Sequence, residues 1–483
     1  MANLEFGFGF GRANEGNKVQ RSAFRILVLG DFSGNAQRAT GNLKALPADP
    51  DTIDALPGRM GTTLSLALPG AEDRVALAFD HLDDFHPDRL IATVPLLAEL
   101  QALRRRLLNP STFSEAAAEV QSWSNVAEAP TAKELPTPPT APQDAAGLMD
   151  ELLGKPVTPH QGPKTTNVTS AIDRMVRDLI APHVVPDPDP QRDSLVAAVD
   201  SVLNERLRGL LHENSFQALE SVWRGLQFLV QSLELDEELS LHVLDLSREQ
   251  LDTELAEAED MPSTELHRLL VDEAVGAPGA EPWTLIVGLY AFRREDAPLL
   301  ERMGRLAAEA HAVFLGGLDY SQRAPKTLEE APADWKALRQ SPAADHLVLT
   351  LPRFLLRLPY GPETDAIDAF AFEENPLPPS AARYLWGHSS LVSSCLLAQA
   401  FLDSGWAMRP GEVAELDGLP LHAFKQDGES EMTPCAEFWL SDMDADALRE
   451  QGVTVVQSVR GRDAVRVEQF QTLSGKSVPI GRC

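Results

Sequence analysis

The chain has 483 residues, 43% hydrophobic and 24% charged, with 42 Lys+Arg against 72 Asp+Glu and a formal net charge of −30. The length allows two to four domains with cores of their own, and the composition is globular rather than disordered. So acidic a chain lacks the basic footprint that nucleic acid or an anionic membrane demands, and no run of 18 apolar residues is present to span a bilayer. The three cysteines, Cys395, Cys435 and Cys483, are odd in number and far apart. That fits a reducing compartment without a disulfide framework. The opening MANLEFGFGFGRANEGNK has no apolar h-region. The expectation is a cytoplasmic protein with no direct membrane insertion.

In chain order, Phe6, Phe8 and Phe10 alternate with Gly7, Gly9 and Gly11, the pattern of an edge strand whose aromatic face awaits a partner. Residues 24–29 (FRILVL) are a continuous apolar run ended by Gly30, which predicts a buried strand. Residues 63–68 and 75–81 alternate with period two around Pro69-Gly70 and predict a hairpin. A helix is expected over 88–108, with the Arg104-Arg105-Arg106 triplet as its solvated last turn. Eight prolines between Pro130 and Pro163 mark an extended linker, and Pro182–Pro190 interrupts the chain again after a short helical stretch over 172–180. Beyond it, helices are expected over 191–211, 215–233, 248–270 and 299–310, and strands over 240–245, 283–290 and 311–315. This alternation argues for an α/β domain. The tail, 452–473, reads as a β-hairpin around Arg460–Asp463.

The chemistry motifs fail one by one. Gly30-Asp31-Phe32-Ser33-Gly34 follows a strand but has neither the Walker ending nor a dinucleotide fingerprint, so it reads as a strand-exit turn. Gly475-Lys476-Ser477 copies a Walker ending, yet Phe470 stands where the first glycine belongs. There is no HExxH, no CxxC and no Gly-x-Ser-x-Gly, and the adjacent pairs Asp83-Asp84 and Glu373-Glu374 point apart on regular backbone. No enzyme activity, cofactor or metal is expected. The strongest signal is packing. In 212–230, Phe216, Leu219, Trp223 and Leu226 fall on one helical face as a core motif, Asn214 or Ser215 is placed to cap it, and Arg224 reads as a structural arginine.

These residues resemble a known family. FRILVLGDFSG (24–34) and HLDDFHPDRLIATVPLLAEL (81–100) resemble the small, TssB/VipA-like sheath subunit of bacterial type VI secretion systems. SFQALESVWRGLQFLV (215–230), LPRFLLRLPYG (351–361), FEENP (372–376), YLWGHSSLVSSCLLAQAF (384–401) and GLPLHAF (418–424) resemble the large, TssC/VipB-like subunit, as does the tail to Leu473. The resemblance therefore implies a natural fusion of both subunits. It implies a mixed α/β contractile-sheath fold divided into an N-terminal strand arm (1–23), a small-subunit-like domain (24–110), a proline-rich linker (111–165), a large-subunit-like domain (166–450) and a C-terminal strand arm (451–483).

The resemblance further implies a structural protomer that polymerises with itself around an inner tube protein, between baseplate and cap proteins, and contracts to drive the tube through a target membrane. The alternative is the sheath of another contractile injection particle, or a paralogue that does not contract. In the family, strands from both termini weave neighbouring protomers together. The matching assembly residues here are Phe6, Phe8 and Phe10, then Val455, Val459, Val465 and Val467, with Arg460, Arg462 and Arg466 beside them. The helix by which an AAA+ ATPase recycles the large subunit falls here within 111–170, where prolines interrupt it, with 115–126 and 145–153 as replacements. Charge adds to this reading, since residues 1–38 carry a local +2 and 452–483 a local +3 on a strongly acidic body. Basic arms gripping acidic neighbours are expected.

Overall fold

A computed structural model describes residues 23–34, 43–67, 74–126, 190–255, 260–319 and 331–480. Two compact units divide the chain, one formed by 1–101 with 202–483 and the other by 102–201. Phe6, Phe8 and Phe10, the Pro69-Gly70 turn, the 172–180 segment and residues 127–165 of the proline-rich linker lie outside the described residues.

In the first unit the strands β1 (Phe24–Gly30), β2 (Leu46–Pro47), β5 (Leu239–Asp245), β6 (Leu285–Phe292), β7 (Val313–Leu318), β8 (Leu347–Leu351), β11 (Glu415–Leu416), β14 (Val453–Ser458) and β15 (Val465–Val467) form one sheet. Its order is β11-β15-β14-β8-β7-β6-β1-β5-β2. The six strands from β14 to β5 run parallel, and β15, β11 and β2 join antiparallel at the two ends. Parallel strands are covered on both faces, which is why FRILVLG is apolar at nearly every position and not at alternate ones. β1 runs in register with β5 from Phe24↔Leu239 to Gly30↔Asp245, and with β6 from Ile26↔Leu285 to Leu29↔Gly288.

On one face Leu27 and Leu29 join a core with Met303 and Leu306 of the helix Ala297–Glu309, Trp335 of Ala333–Gln340 and Leu448 of Asp442–Glu450. The helix approaches closely: a Cβ on Gly304 would stand 2.5 Å from the Ala343 carbonyl oxygen. On the other face lie the helices Asn214–Ser232 and Ser389–Ser404, and the Phe24 ring packs 4.8 Å from Phe401. The antiparallel pair β3 (Thr62–Leu66) and β4 (Val75–Phe79) forms the expected hairpin. Smaller pairs are β9 (Phe354–Leu355) with β10 (Trp386–Gly387), and β12 (Ala423–Gln426) with β13 (Glu429–Met432).

Several expectations need correction. The helix expected over 88–108 is two, Pro87–Thr93 and Pro95–Leu108, because Pro95 has no N–H and forces Val94 into extended backbone. The stretch 248–270 is likewise broken, into a helix Arg248–Leu255, a short turn Met261–Ser263 with Pro262 inside it, a single helical turn Glu265–His267 and a π-helix Arg268–Gly276. Glu213, not Asn214 or Ser215, caps the helix Asn214–Ser232, its carboxylate accepting from the N–H groups of Ser215 and Phe216. β1, from the region read as the first domain, lies between β5 and β6 of the region read as the second, so these strands share one sheet. The C-terminal segment is not a free arm: β14 pairs with β8 of the same chain, and without it the Leu349–Leu351 edge would be bare.

The second unit contains the helix Phe113–Val126, at the position where the sequence predicts the start of the linker, with the end of the Pro95–Leu108 helix and the start of Pro190–Leu211. Two ion pairs tie it together, Arg104 to Asp200 at 2.5 Å and Arg106 to Glu119 at 2.7 Å.

Trp223 is fully buried against Phe32, its ring 5.1 Å away, and its indole N–H donates to the Phe32 carbonyl at 3.0 Å. Trp223→Ala should therefore cost about 3–5 kcal/mol, seen as a lower denaturant midpoint. Trp223→Phe should cost less, because Thr62 Oγ1 still donates to the same carbonyl at 2.9 Å.

Candidate functional site

In open α/β sheets the ligand crevice lies at the carboxyl ends of the strands where the strand order reverses. Here that point falls between β1 and β6. The turn Gly30–Gly34 fills it with a fully buried Phe32. Asp245 Oδ1 accepts from the N–H groups of Phe32 and Ser33, both at 2.9 Å. Gly34 adopts a positive φ of 68°, and a Cβ there would stand 2.4 Å from the Thr63 carbonyl oxygen. The place where nucleotide-binding proteins of this architecture keep a cradle is thus occupied by a packed aromatic turn.

The chemically distinctive cluster lies elsewhere. Glu220 stands on the apolar side of the Asn214–Ser232 helix and is fully buried, as is Glu374 of the 372–376 segment. Arg357, from the 351–361 segment, lies between them. Its Nε donates to Glu220 Oε1 at 2.9 Å, and its Nη1 and Nη2 donate to Glu374 Oε2 and Oε1 at 2.7 and 3.1 Å. Arg224 donates to Glu220 Oε1 at 2.7 Å and to the Tyr360 hydroxyl at 3.0 Å. The Tyr360 N–H donates to Glu374 Oε2 at 2.8 Å, and the Arg357 guanidinium lies 4.3 Å from the centre of the Tyr360 ring. Two acids and two arginines therefore balance inside the protein.

The same loop is held from the other side. Asp88 accepts from the N–H groups of Asp368 and Ala369, both at 3.0 Å, and Arg208 Nε donates to the Glu373 carbonyl at 2.6 Å. The His86 ring meets Tyr360 edge-on at 5.2 Å. Burial alone would raise the Glu374 carboxyl, but Arg357 and the Tyr360 N–H outweigh it and hold it down at about 2. Burial pushes the Tyr360 hydroxyl up to about 12, against the pull of Arg357 and Arg224. Such groups neither take up nor release protons near neutral pH. What the cluster does is lock three distant segments in one arrangement.

The residues named from the sequence fall in different places. Phe216, Leu219, Trp223 and Leu226 are buried on one face of their helix. Val455, Val465 and Val467 are buried in the chain's own sheet, and half-buried Val459 lies in the turn that joins β14 to β15. Arg462 is bound within the chain by Glu415 at 3.0 Å and Asp417 at 2.5 Å, and Arg466 by Glu415. Arg460 lies over the Trp439 ring, 5.8 Å from its centre. The structure does not gather these into one site. Sequence reasoning missed Glu220 and Arg357 and read Glu374 only as half of an adjacent acidic pair, although a charge inside an otherwise apolar stretch was the available signal. Among the described residues no helix is long and apolar enough to cross a membrane, and no group of three or more His, Cys, Asp or Glu is placed to hold a metal.

Residues 193–474, more than half of the chain, match the family described as VipB, the EvpB/VC_A0108 tail sheath N-terminal domain. Residues 12–121 match the family described as type VI secretion system, VipA, VC_A0107 or Hcp2. The chain therefore belongs to the type VI secretion tail sheath family, with its small and large sheath regions fused in one polypeptide. The type VI secretion system sheath protein TssC1 of Pseudomonas aeruginosa is 31% identical over 319 residues, which is 60% of this chain and 64% of that protein. The chain thus spans less than two thirds of that relative's length. Among solved structures, the cryo-EM baseplate of the anti-feeding prophage shares 11% identity over 53% of this chain and 52% of that chain, at a TM-score of 0.30.

Removing one member of a buried charge cluster strands its partner, so Arg357→Met should cost about 3–5 kcal/mol in chemical denaturation. The pH dependence has a definite sign. Glu374 binds its proton less readily folded than unfolded, so its contribution is complete above pH 4.5 and is lost as the pH falls toward about 2. His388, pushed down to about 4 by burial with the Arg353 charge adding to it, contributes fully above pH 6.5 and loses that contribution as the pH falls to about 4. Wild-type stability should decline through both windows. Glu374→Gln should flatten the lower window alone in denaturation curves measured across pH.

Proposed function

We propose that this chain is the protomer of a contractile sheath that polymerises around an inner tube and contracts to propel it through a target membrane. One observation carries this reading: the strand from the VipA-matching region lies inside the sheet built by the VipB-matching region. The two regions act as one mechanical body, and a body that must rotate in a lattice without coming apart needs that integrity. Its role is mechanical and not catalytic, and its place is the cytoplasm. Its partners are copies of itself, an inner tube protein, and the baseplate and cap at either end. The 1–23 segment serves as a lattice strand, its alternating phenylalanines pairing with a neighbour. The internal 111–170 region takes the position of the recycling handle, with the helix Phe113–Val126 as the piece an unfolding ATPase would grip.

Purified protein should form tubes without added ligand, visible by negative-stain electron microscopy. Deleting residues 1–20 should abolish the tubes while leaving the circular dichroism native-like. Monodisperse wild-type monomers at all concentrations and salts would refute the sheath reading, and normal tubes after the deletion would refute the lattice role of the segment.

A further inference from the structure

Two surfaces of the first unit are left uncovered by the described residues, and their chemistries are complementary. The first is the β12–β13 hairpin, whose turn is made by Asp427 and Gly428 at φ 51° and 88°. It is a separate two-stranded ladder, exposed along all of β13 and along β12 except for half-buried Phe424. A two-stranded hairpin on its own is marginally stable in water. Its side chains include Asp427, Glu429 and Glu431 against one Lys425, and none of these four has an ion-pair partner among the described residues. Glu429 and Glu431 project from one face of the ladder, and Met432, 51% exposed, from the other.

The second surface is a groove of about 690 Å³ between the 439–442 segment and the β14–β15 pair. Trp439 stands at it 51% exposed, and neighbouring Met443 is 78% exposed, where a chain of this kind would otherwise bury such side chains. Four charged residues line it. Arg466 is held by Glu415, Glu468 is held by Arg449 at 2.6 Å, and Asp442 occupies the first turn of the Asp442–Glu450 helix, where the dipole favours an acid. Arg460 alone has no carboxylate among the described residues and rests on the Trp439 ring. An exposed Trp, Met and Arg together are the side chains that anchor protein interfaces.

We propose that the 423–432 hairpin of one copy seats in the Trp439–Arg460 groove of a second copy. Entering edge-on, it gives Glu431 to Arg460 and Met432 to Trp439 and Met443, a sulfur–aromatic contact beside an ion pair. Hairpin and groove are different patches, so the contact is heterologous, and it runs along an open helix where the rotation between successive copies does not close a ring. The proposal rests on the sheath reading for its biological setting, although the contact can be measured without it.

Full-length Arg460→Glu and Glu431→Lys should each slow tube growth about tenfold or more in light scattering, and the double variant should restore it. Separately, Glu431→Cys and Arg460→Cys copies, both carrying Cys483→Ser, are mixed and treated with a short bismaleimide. A dimer should form in the mixture and in neither copy alone, since Cys395 and Cys435 are buried. Single variants that assemble like wild type, a double variant that stays defective, or a mixture with no dimer would each overturn the contact. Wild-type protein that makes no tubes but still cross-links would overturn the sheath reading and leave the contact standing.

Discussion

β1 has no existence as a strand apart from β5 and β6. Seven of its residues are in register with β5 and four with β6, and both of its faces are covered by helices from the later part of the chain. Withdrawing it would leave two sheet edges bare and the Phe32 turn without the Trp223 indole that holds it. The order of the whole sheet depends on this insertion, since β5 and β2 lie to one side and β6, β7, β8 and β14 to the other. Fusion in one chain makes the pairing intramolecular. It then depends on an effective concentration set by the connecting segment and not on how much of each partner the cell supplies.

The Glu220–Arg357–Glu374 cluster supports that arrangement in a different way. Buried ion pairs contribute little net stability against well-packed apolar side chains, because desolvation consumes most of the attraction. Their effect is to penalise every arrangement in which one partner is missing. Arg357 must find acids contributed by positions 220 and 374 at once, and Asp88 must find the backbone of 368–369. A loop bound from so many directions moves with the body or not at all.

Local physics makes much of this legible from the sequence. The stripe Phe216, Leu219, Trp223, Leu226 repeats with helical period, and the helix stands where that stripe predicts it. FRILVLG, the 285–292 strand and the tail hairpin are likewise readable from hydrophobic runs and turn residues. The hidden part is non-local. Nothing near residue 24 says that its strand neighbours begin at 239 and 285, so two sequence-matched halves read as two bodies. Nothing near Val453 names β8 as its partner, so the segment reads as an arm. Glu220 with Arg224 four residues on looks like an ordinary exposed helix pair, because Arg357, the second arginine that shares its carboxylate, is 137 positions away. The breaks at Pro95 and Pro262 are signalled in the sequence, and apolar periodicity continuing past them outweighs the signal.

The two ends of the large sheet are closed by small pieces of chain. On β5, the Asp236 N–H donates to the Leu239 carbonyl, Asp236 Oδ1 accepts from the Leu239 N–H, and the Ala48 N–H takes the Leu241 carbonyl. At the opposite end β11 covers Val465 and Arg466, while the Val467 and Leu419 N–H groups donate to Ala414 and Asp463. Two-residue strands and single turns therefore act as stoppers on both ladders. An uncovered ladder of this length would be a template for another strand, and stoppers of this size deny it one. A strand arriving from another copy in the wrong register then finds only a two-residue edge to hold it, and backbone pairing between copies is confined to places the stoppers leave open.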